Sequence, residues 1–389
     1  MDHIIELLSR ELDRPVQHVE NIVTLLDEGN TVPFIARYRK ELHGAMDDQL
    51  IRQLADRLQY LRNLQARRDE VKQSIENQGK LTEELSAAID AAATLAEVED
   101  LYRPYKQKRR TRATMAREKG LEPLAELAFA IGPAVDLEGA AADYIDPGKG
   151  VETVEDALQG ASDIVAEWIS DDADVRKLLR ELYWRRASIV SRAAAKEPED
   201  SVYRLYYEFS SPVSKTQGHQ ILAMNRGERE EILKVDVEMD RETALVALRR
   251  RAVPGRAAME FVRAAAEDAY DRLIAPSLER ELRGELTDRA SEGAIGQFAL
   301  NLKPLLMQPP VKGFVTMGLD PGYRMGCKVA VVDPTGRVLD TTVVYPTHGE
   351  RGKAEAIDKL AVLIKKHEVA HIAIGNGTAS RETEQMAVE

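Results

Sequence analysis

A break in hydrophobic rhythm at "QPPVKG", residues 308–313, constrains this chain more than any other feature. Before it, apolar residues recur at helical spacing. After it, they alternate or run in short blocks, as strands do. Two prolines and a glycine interrupt helix and sheet ladders alike and mark a domain boundary. One uniform fold type over all 389 residues is therefore excluded, and two or three domains are expected.

Upstream of the break the pattern predicts a multi-helix body. Ile4, Ile5, Leu8 and Leu12 share one helical face, and Val19, Ile22, Val23 and Leu26 share the next, which Gly29 stops. These short helices are compatible with a helix-turn-helix, although no residue marks either as the one that enters a groove. "TVPFIARYRKE" follows, half apolar and half basic. Asp47 or Asp48 then caps a long helix to about residue 78, with Leu54, Leu61, Arg68 and Ile75 at seven-residue spacing and Leu64 and Val71 in a second stripe. This is the first arm of a long helical hairpin. Its return arm is capped by Thr82 and ends before Pro104. Residues 121–192 read as helical, and a short strand is expected over residues 233–239. Helices resume over 255–283 and 288–307. The expected divisions are 1–200, 201–310 and 311–389.

Beyond the break, strands are predicted over 311–319, 327–332 and 338–345, the last two joined by the tight turn "DPTG". A helix over 350–367 leads to a fourth strand, "HIAIG", and another helix begins after "NGT". The order β-β-β-α-β-α is that of a ribonuclease H-like α/β sheet, a three-stranded meander with the fourth strand returning parallel beside the first. It brings Asp320 and the loop of Asn376 to one end of the sheet, where open α/β sheets place their ligands.

Charge narrows the functional classes. The net charge of −12 argues against a uniformly basic nucleic-acid binder. Residues 101–120, however, hold eight cations against one carboxylate, Glu118. Arg103, Lys106, Lys108, Arg109, Arg110 and Arg112 are the candidate phosphate contacts, with Tyr102 and Tyr105 available for base stacking. Arg37, Arg39 and Lys40 form a second, smaller candidate. The single cysteine, Cys327, excludes a disulfide framework and a multi-cysteine zinc site. No apolar stretch approaches the ~18 residues of a membrane span, and the start of the chain is acidic, so a soluble cytoplasmic protein with no membrane partner is expected.

Asp320 is the sharpest candidate for chemistry. A two-metal nuclease needs several convergent carboxylates, yet the loop after the fourth strand offers the amide of Asn376. Asp320, Gly322 and Asn376 are accordingly expected to mark the turn of the fold, with no catalytic residue, metal or cofactor. A nucleotide-cradling turn is disfavoured by the bulk of Tyr323, Arg324 and Met325.

Five stretches, "TVPFIARYRKE", "LYRPYKQKRRTRATMAREKGLEPLA", "PVSKTQGHQILAMNRGERE", "LDPGYRMGCKVAVVD" and "IGNGTASRETE", resemble the bacterial transcription accessory protein family, Tex. The resemblance covers essentially the whole chain and implies the N-terminal half of such a protein. The last region would be an incomplete YqgF-type ribonuclease H-like domain, and a helix-hairpin-helix pair and an RNA-binding OB-fold would follow in the family. It implies nucleic-acid binding, RNA or DNA, in transcription, with RNA polymerase or other transcription proteins as partners. The leading expectation is a non-enzymatic nucleic-acid-binding scaffold. The alternatives are a metal-dependent ribonuclease H-like nuclease or resolvase using Asp320, and a protein-interaction module for the transcription machinery.

Overall fold

The computed structural model describes residues 2–107, 109–194, 201–309 and 311–389. It divides into two compact units, 1–295 and 296–389.

In the first unit, helices Asp2–Leu12, Val16–Asp27 and Val32–Tyr38 bury Leu8, Val19, Ile22 and Ile35 against Ile51, Leu54 and Leu58 of the long helix Asp48–Glu76. Asp47 caps that helix, its carboxylate accepting from the amide of Leu50 at 2.8 Å. The seven-residue stripe serves two cores in succession. Leu54 and Leu61 lie in the first, while Leu64, Val71 and Ile75 pack with Ile89 and Val98 in a second.

The return arm is two helices rather than one, Glu83–Ala91 and Leu95–Tyr102, with Thr82 and Thr94 as their caps. The side chain of Glu97 also accepts from the amide of Ala93 at 2.7 Å, so two helix-start signals compete successfully with continuation. At this break Arg68 donates to the carbonyl of Ala92 at 2.8 Å, which explains a cation in an apolar stripe.

A single core then runs from Ala113 to Ala290, across the expected division at 200/201. Its centre is the helix Val154–Asp171, opened by a Thr153–Asp156 capping box. Beside it lies a three-stranded antiparallel sheet of β1 (Ser188–Ala193), β2 (Glu208–Pro212) and β3 (Leu233–Glu238), in the order β2-β1-β3. β3 is the expected strand. β1 corrects the helical reading up to residue 192: Ile189 and Val190 are both buried in the central strand, so no simple alternation betrays it. Farther along, the helix Met259–Asp268 passes through a π-helical turn, Ala269–Ile274, into a 32-residue helix, Ala275–Leu306, so the break expected between 283 and 288 is absent.

The second unit has β4 (Thr316–Asp320), β5 (Cys327–Val332), β6 (Val338–Val344) and β7 (His371–Ile374) in the order β6-β5-β4-β7. β4 pairs antiparallel with β5 and parallel with β7, the expected meander and crossover. Ala356 and Leu360 of the helix Gly349–His367 pack with Met317, Leu319, Val329 and Val331. In the β5–β6 turn the Asp333 carboxylate accepts from the amides of Thr335 and Arg337 at 2.8 and 3.0 Å.

Candidate nucleic-acid interface

The basic segment folds as a short 3-10 turn, Arg103–Tyr105, a bend, and the helix Arg112–Glu118. Thr111 starts that helix by accepting from the amide of Thr114 at 3.0 Å, while its hydroxyl also donates to Glu167 at 3.0 Å. The segment is thus tied down along the carboxylate-bearing end of Val154–Asp171, and the ties sort its cations.

Arg103 lies 3.3 Å from the Asp171 carboxylate. Burial, and then the nearby guanidinium of Arg176, hold its pKa below the ordinary arginine value. Arg117 reaches Glu122 and Glu167 at 3.1 and 2.8 Å. Lys106 and Arg110 make looser, exposed pairs with Glu99 at 3.7 Å and Glu118 at 3.0 Å. Arg109 and Arg112 are exposed and make no ion pair among the described residues. Arg112 is still close enough to Asp163 to draw that carboxyl's pKa down, against the burial that dominates and raises it. Lys108 lies outside the described residues.

The two tyrosines are packed in part against the hairpin. Tyr102 and Tyr105 are half-buried against the core of Leu64, Val71 and Ile75. The Tyr102 hydroxyl lies 2.9 Å from that of Ser74, and Arg67 lies over its ring. These contacts leave less of either ring open for stacking than the sequence alone suggests. An apolar ring on a segment that crosses a helical hairpin is worth more packed than wet.

Arg37, Arg39 and Lys40 lie at the C-terminal end of Val32–Tyr38, a helix capped by Thr31. Arg37 and Lys40 are exposed, Arg39 is half-buried, and none makes an ion pair among the described residues.

In the second unit Asp320 ends β4, exposed, opposite Lys328 in the β5 register. The Gly375 amide donates to the carbonyl of Leu319 at 2.8 Å, so the loop carrying Asn376 sits beside Asp320. Gly322 closes the turn after Asp320, and a Cβ there would stand 3.0 Å from the carbonyl of Gly326. The nearby Glu382 carboxylate accepts from the Tyr323 hydroxyl at 2.7 Å, which lowers the pKa of Glu382 and raises that of Tyr323. Among the described residues, no three His, Cys, Asp or Glu side chains gather as a metal site. Cys327 is buried, and burial followed by the Asp320 charge pushes its thiol pKa up. No helix is long and apolar enough to cross a membrane among the described residues.

Comparison with known proteins matches residues 2–76 to the Tex-like protein N-terminal domain, 132–298 to the Tex central region-like model and 314–389 to the Tex protein YqgF-like domain. A Bacillus subtilis protein, YdcI, is 46% identical over 98% of this chain and 54% of its own length. The transcriptional accessory protein Tex of Neisseria gonorrhoeae is 41% identical over 100% of this chain and 51% of its own. The human S1 RNA-binding domain-containing protein 1 is 35% identical over 98% and 39% respectively. The chain spans about half the length of the bacterial relatives it matches. With its N-terminal, central and YqgF-like regions all matched in order, the chain belongs to the Tex family of transcription accessory proteins.

Proposed function

We propose that this chain contributes nucleic-acid binding to a transcription accessory factor, gripping phosphate through Arg109 and Arg112 and acting as a scaffold without cutting its ligand. The observation that carries this reading is the pair of exposed guanidiniums without ion pairs among the described residues, in a run of eight cations on a chain of net charge −12. An arginine already bound to carboxylate must give up that pair to take phosphate; Arg109 and Arg112 make no such pair among the described residues. The names of the relatives, a transcriptional accessory protein and an S1 RNA-binding domain-containing protein, support the same direction. RNA polymerase or another transcription protein is the partner class that fits an accessory role.

The test is a titration of labelled single-stranded RNA and DNA at several salt concentrations. Arg109→Glu with Arg112→Glu should weaken binding at least tenfold and make the dependence of log K on log salt shallower by about 0.7 for each phosphate left unneutralised. Unchanged affinity and unchanged slope would remove this segment from the interface.

A further inference from the structure

We propose that Tyr38, flanked by Arg37 and Lys40 and braced by Phe34 and Arg39, is a stacking platform for unpaired bases of a single-stranded nucleic acid. The inference rests on the reading of the chain as a nucleic-acid binder, but not on the segment around Arg109.

Tyr38 is 56% exposed on a chain in which aromatics are only 5% of residues. Its ring centroid is 5.3 Å from that of Phe34, tilted by 47°. Arg37 lies over the Tyr38 ring, 5.9 Å from its centroid, and Arg39 over Phe34 at 5.3 Å. An exposed ring beside guanidiniums offers what a single strand needs, a flat apolar face for a base and a cation for the adjoining phosphate.

Cations at a helix C-terminus also have a simpler use, complementing the last carbonyls. Arg39 fits that use, donating to the carbonyl of Tyr38 at 3.1 Å. Arg37 also stands in the last turn, but neither its side chain nor that of Lys40 donates a hydrogen bond to any described residue, so both remain open to a ligand. Both line a concavity of about 500 Å³ with Pro33, Ala36, Ala45 and Met46. The remaining wall is Asp47 and Asp48. Asp47 is held by the Leu50 amide, and Asp48 stands in the first turn of its helix, so a phosphate is confined to the Arg37 and Lys40 side.

The corner is also held in shape before any ligand arrives. His43 is fully buried, with Nε2 3.2 Å from the carbonyl of Ile35. Asn21 donates to the carbonyl of Leu42 at 2.9 Å. Gly44 turns at φ +59 against the ring of His18. A platform that does not have to be ordered on binding loses less affinity to entropy. Duplexes hide their base faces, which selects single strands.

The experiment uses the full chain and 12-nucleotide single-stranded RNA and DNA containing 2-aminopurine, with the matching duplexes as a control. Tyr38→Ala should weaken single-strand binding about tenfold and abolish 2-aminopurine quenching, leaving duplex binding unchanged. Tyr38→Phe should retain both properties, which separates stacking from loss of the hydroxyl. The RNA and DNA arms show which sugar the platform accepts. Wild-type affinity and quenching in Tyr38→Ala, alongside weakened binding by Arg109→Glu/Arg112→Glu, would overturn the platform alone. Absence of any binding by the wild-type chain would overturn the nucleic-acid reading itself. Displacement of the oligonucleotide by poly-glutamate as readily as by unlabelled strand would overturn stacking in favour of an acidic protein segment.

Discussion

Arg176 and Asp100 meet at 2.8 Å with both side chains shut away from water, 2% and 6% exposed. Arg180 donates to the second oxygen of Asp100 at 2.7 Å, and both arginines also engage Glu281. The network joins the return arm of the hairpin to the helices Ala173–Arg186 and Ala275–Leu306. Removing Asp100 leaves two desolvated guanidiniums to share the single carboxylate of Glu281. Asp100→Ala should therefore cost about 3–5 kcal/mol in denaturant unfolding. Adding Arg176→Met should recover part of that loss, since Glu281 then answers Arg180 alone.

Gly44→Ala should destabilise the first helices by about 1–3 kcal/mol. Its Cβ would fall 2.5 Å from the His18 ring, on a backbone at φ +59 that L side chains avoid. Thermal unfolding of Gly44→Ala with and without His18→Ala separates the two causes. Relief of the loss in the double variant would assign it to the clash, and persistence would assign it to the backbone.

Asp340 makes the second unit sensitive to acid. Lys366 and His367, at 2.8 and 3.1 Å, hold its carboxyl at about 2, below the ordinary 3.8. A depressed folded-state value means that the interaction stabilises the fold above about pH 4 and that this contribution is lost as pH falls to about 2. Carboxyl chemical shifts followed by NMR should show Asp340 titrating at about 2. Asp340→Asn should flatten the acid limb of stability over the same window.

Asp320→Asn should leave the effect of the chain on RNA, single-stranded DNA and branched DNA unchanged in magnesium or manganese. The neighbouring loop brings an amide, Asn376, and Glu382 is engaged by Tyr323. Gel analysis of labelled substrates checks this. A product formed by wild type and absent with Asp320→Asn would replace the scaffold reading with a nuclease.

Local signals in the sequence carried most of the architecture. The caps Asp47 and Thr82 act over three residues, and the turn at Asp333 over four, so their chemistry is contained in the string that encodes it. The order of β4 to β7 was legible because a strand pattern with one crossover admits few right-handed arrangements. β1 was not legible, because the consecutive residues Ile189, Val190 and Ser191 are all buried, so both faces of the strand are covered and no alternation shows. The cations of residues 101–120 were visible as a run, but their sorting was not. Arg103 and Arg117 find Asp171 and Glu167 at separations of 68 and 50 residues, which only the fold brings close. The candidate stacking surface moved for the same reason. Tyr102 is claimed by Ser74 and the hairpin core, whereas Tyr38, which carried no signal beyond its basic neighbours, is left in solvent.

The helix Asp48–Glu76 has a consequence for ligand length. Its first residue lines the concavity of Arg37 and Lys40, and just past its other end Gln78 donates to the carbonyl of Tyr105, where the basic run begins. Twenty-nine residues of helix make a rigid ruler of about 44 Å between these two places. A single strand stacked with the ~3.4 Å rise it has within duplex DNA would need about 13 nucleotides to cover that distance. If both proposed places bind, shorter strands should occupy one end at a time, whereas longer ones should gain the effective concentration of a tethered second site. A step in affinity with oligonucleotide length, rather than a smooth rise, is the signature such a ruler would leave.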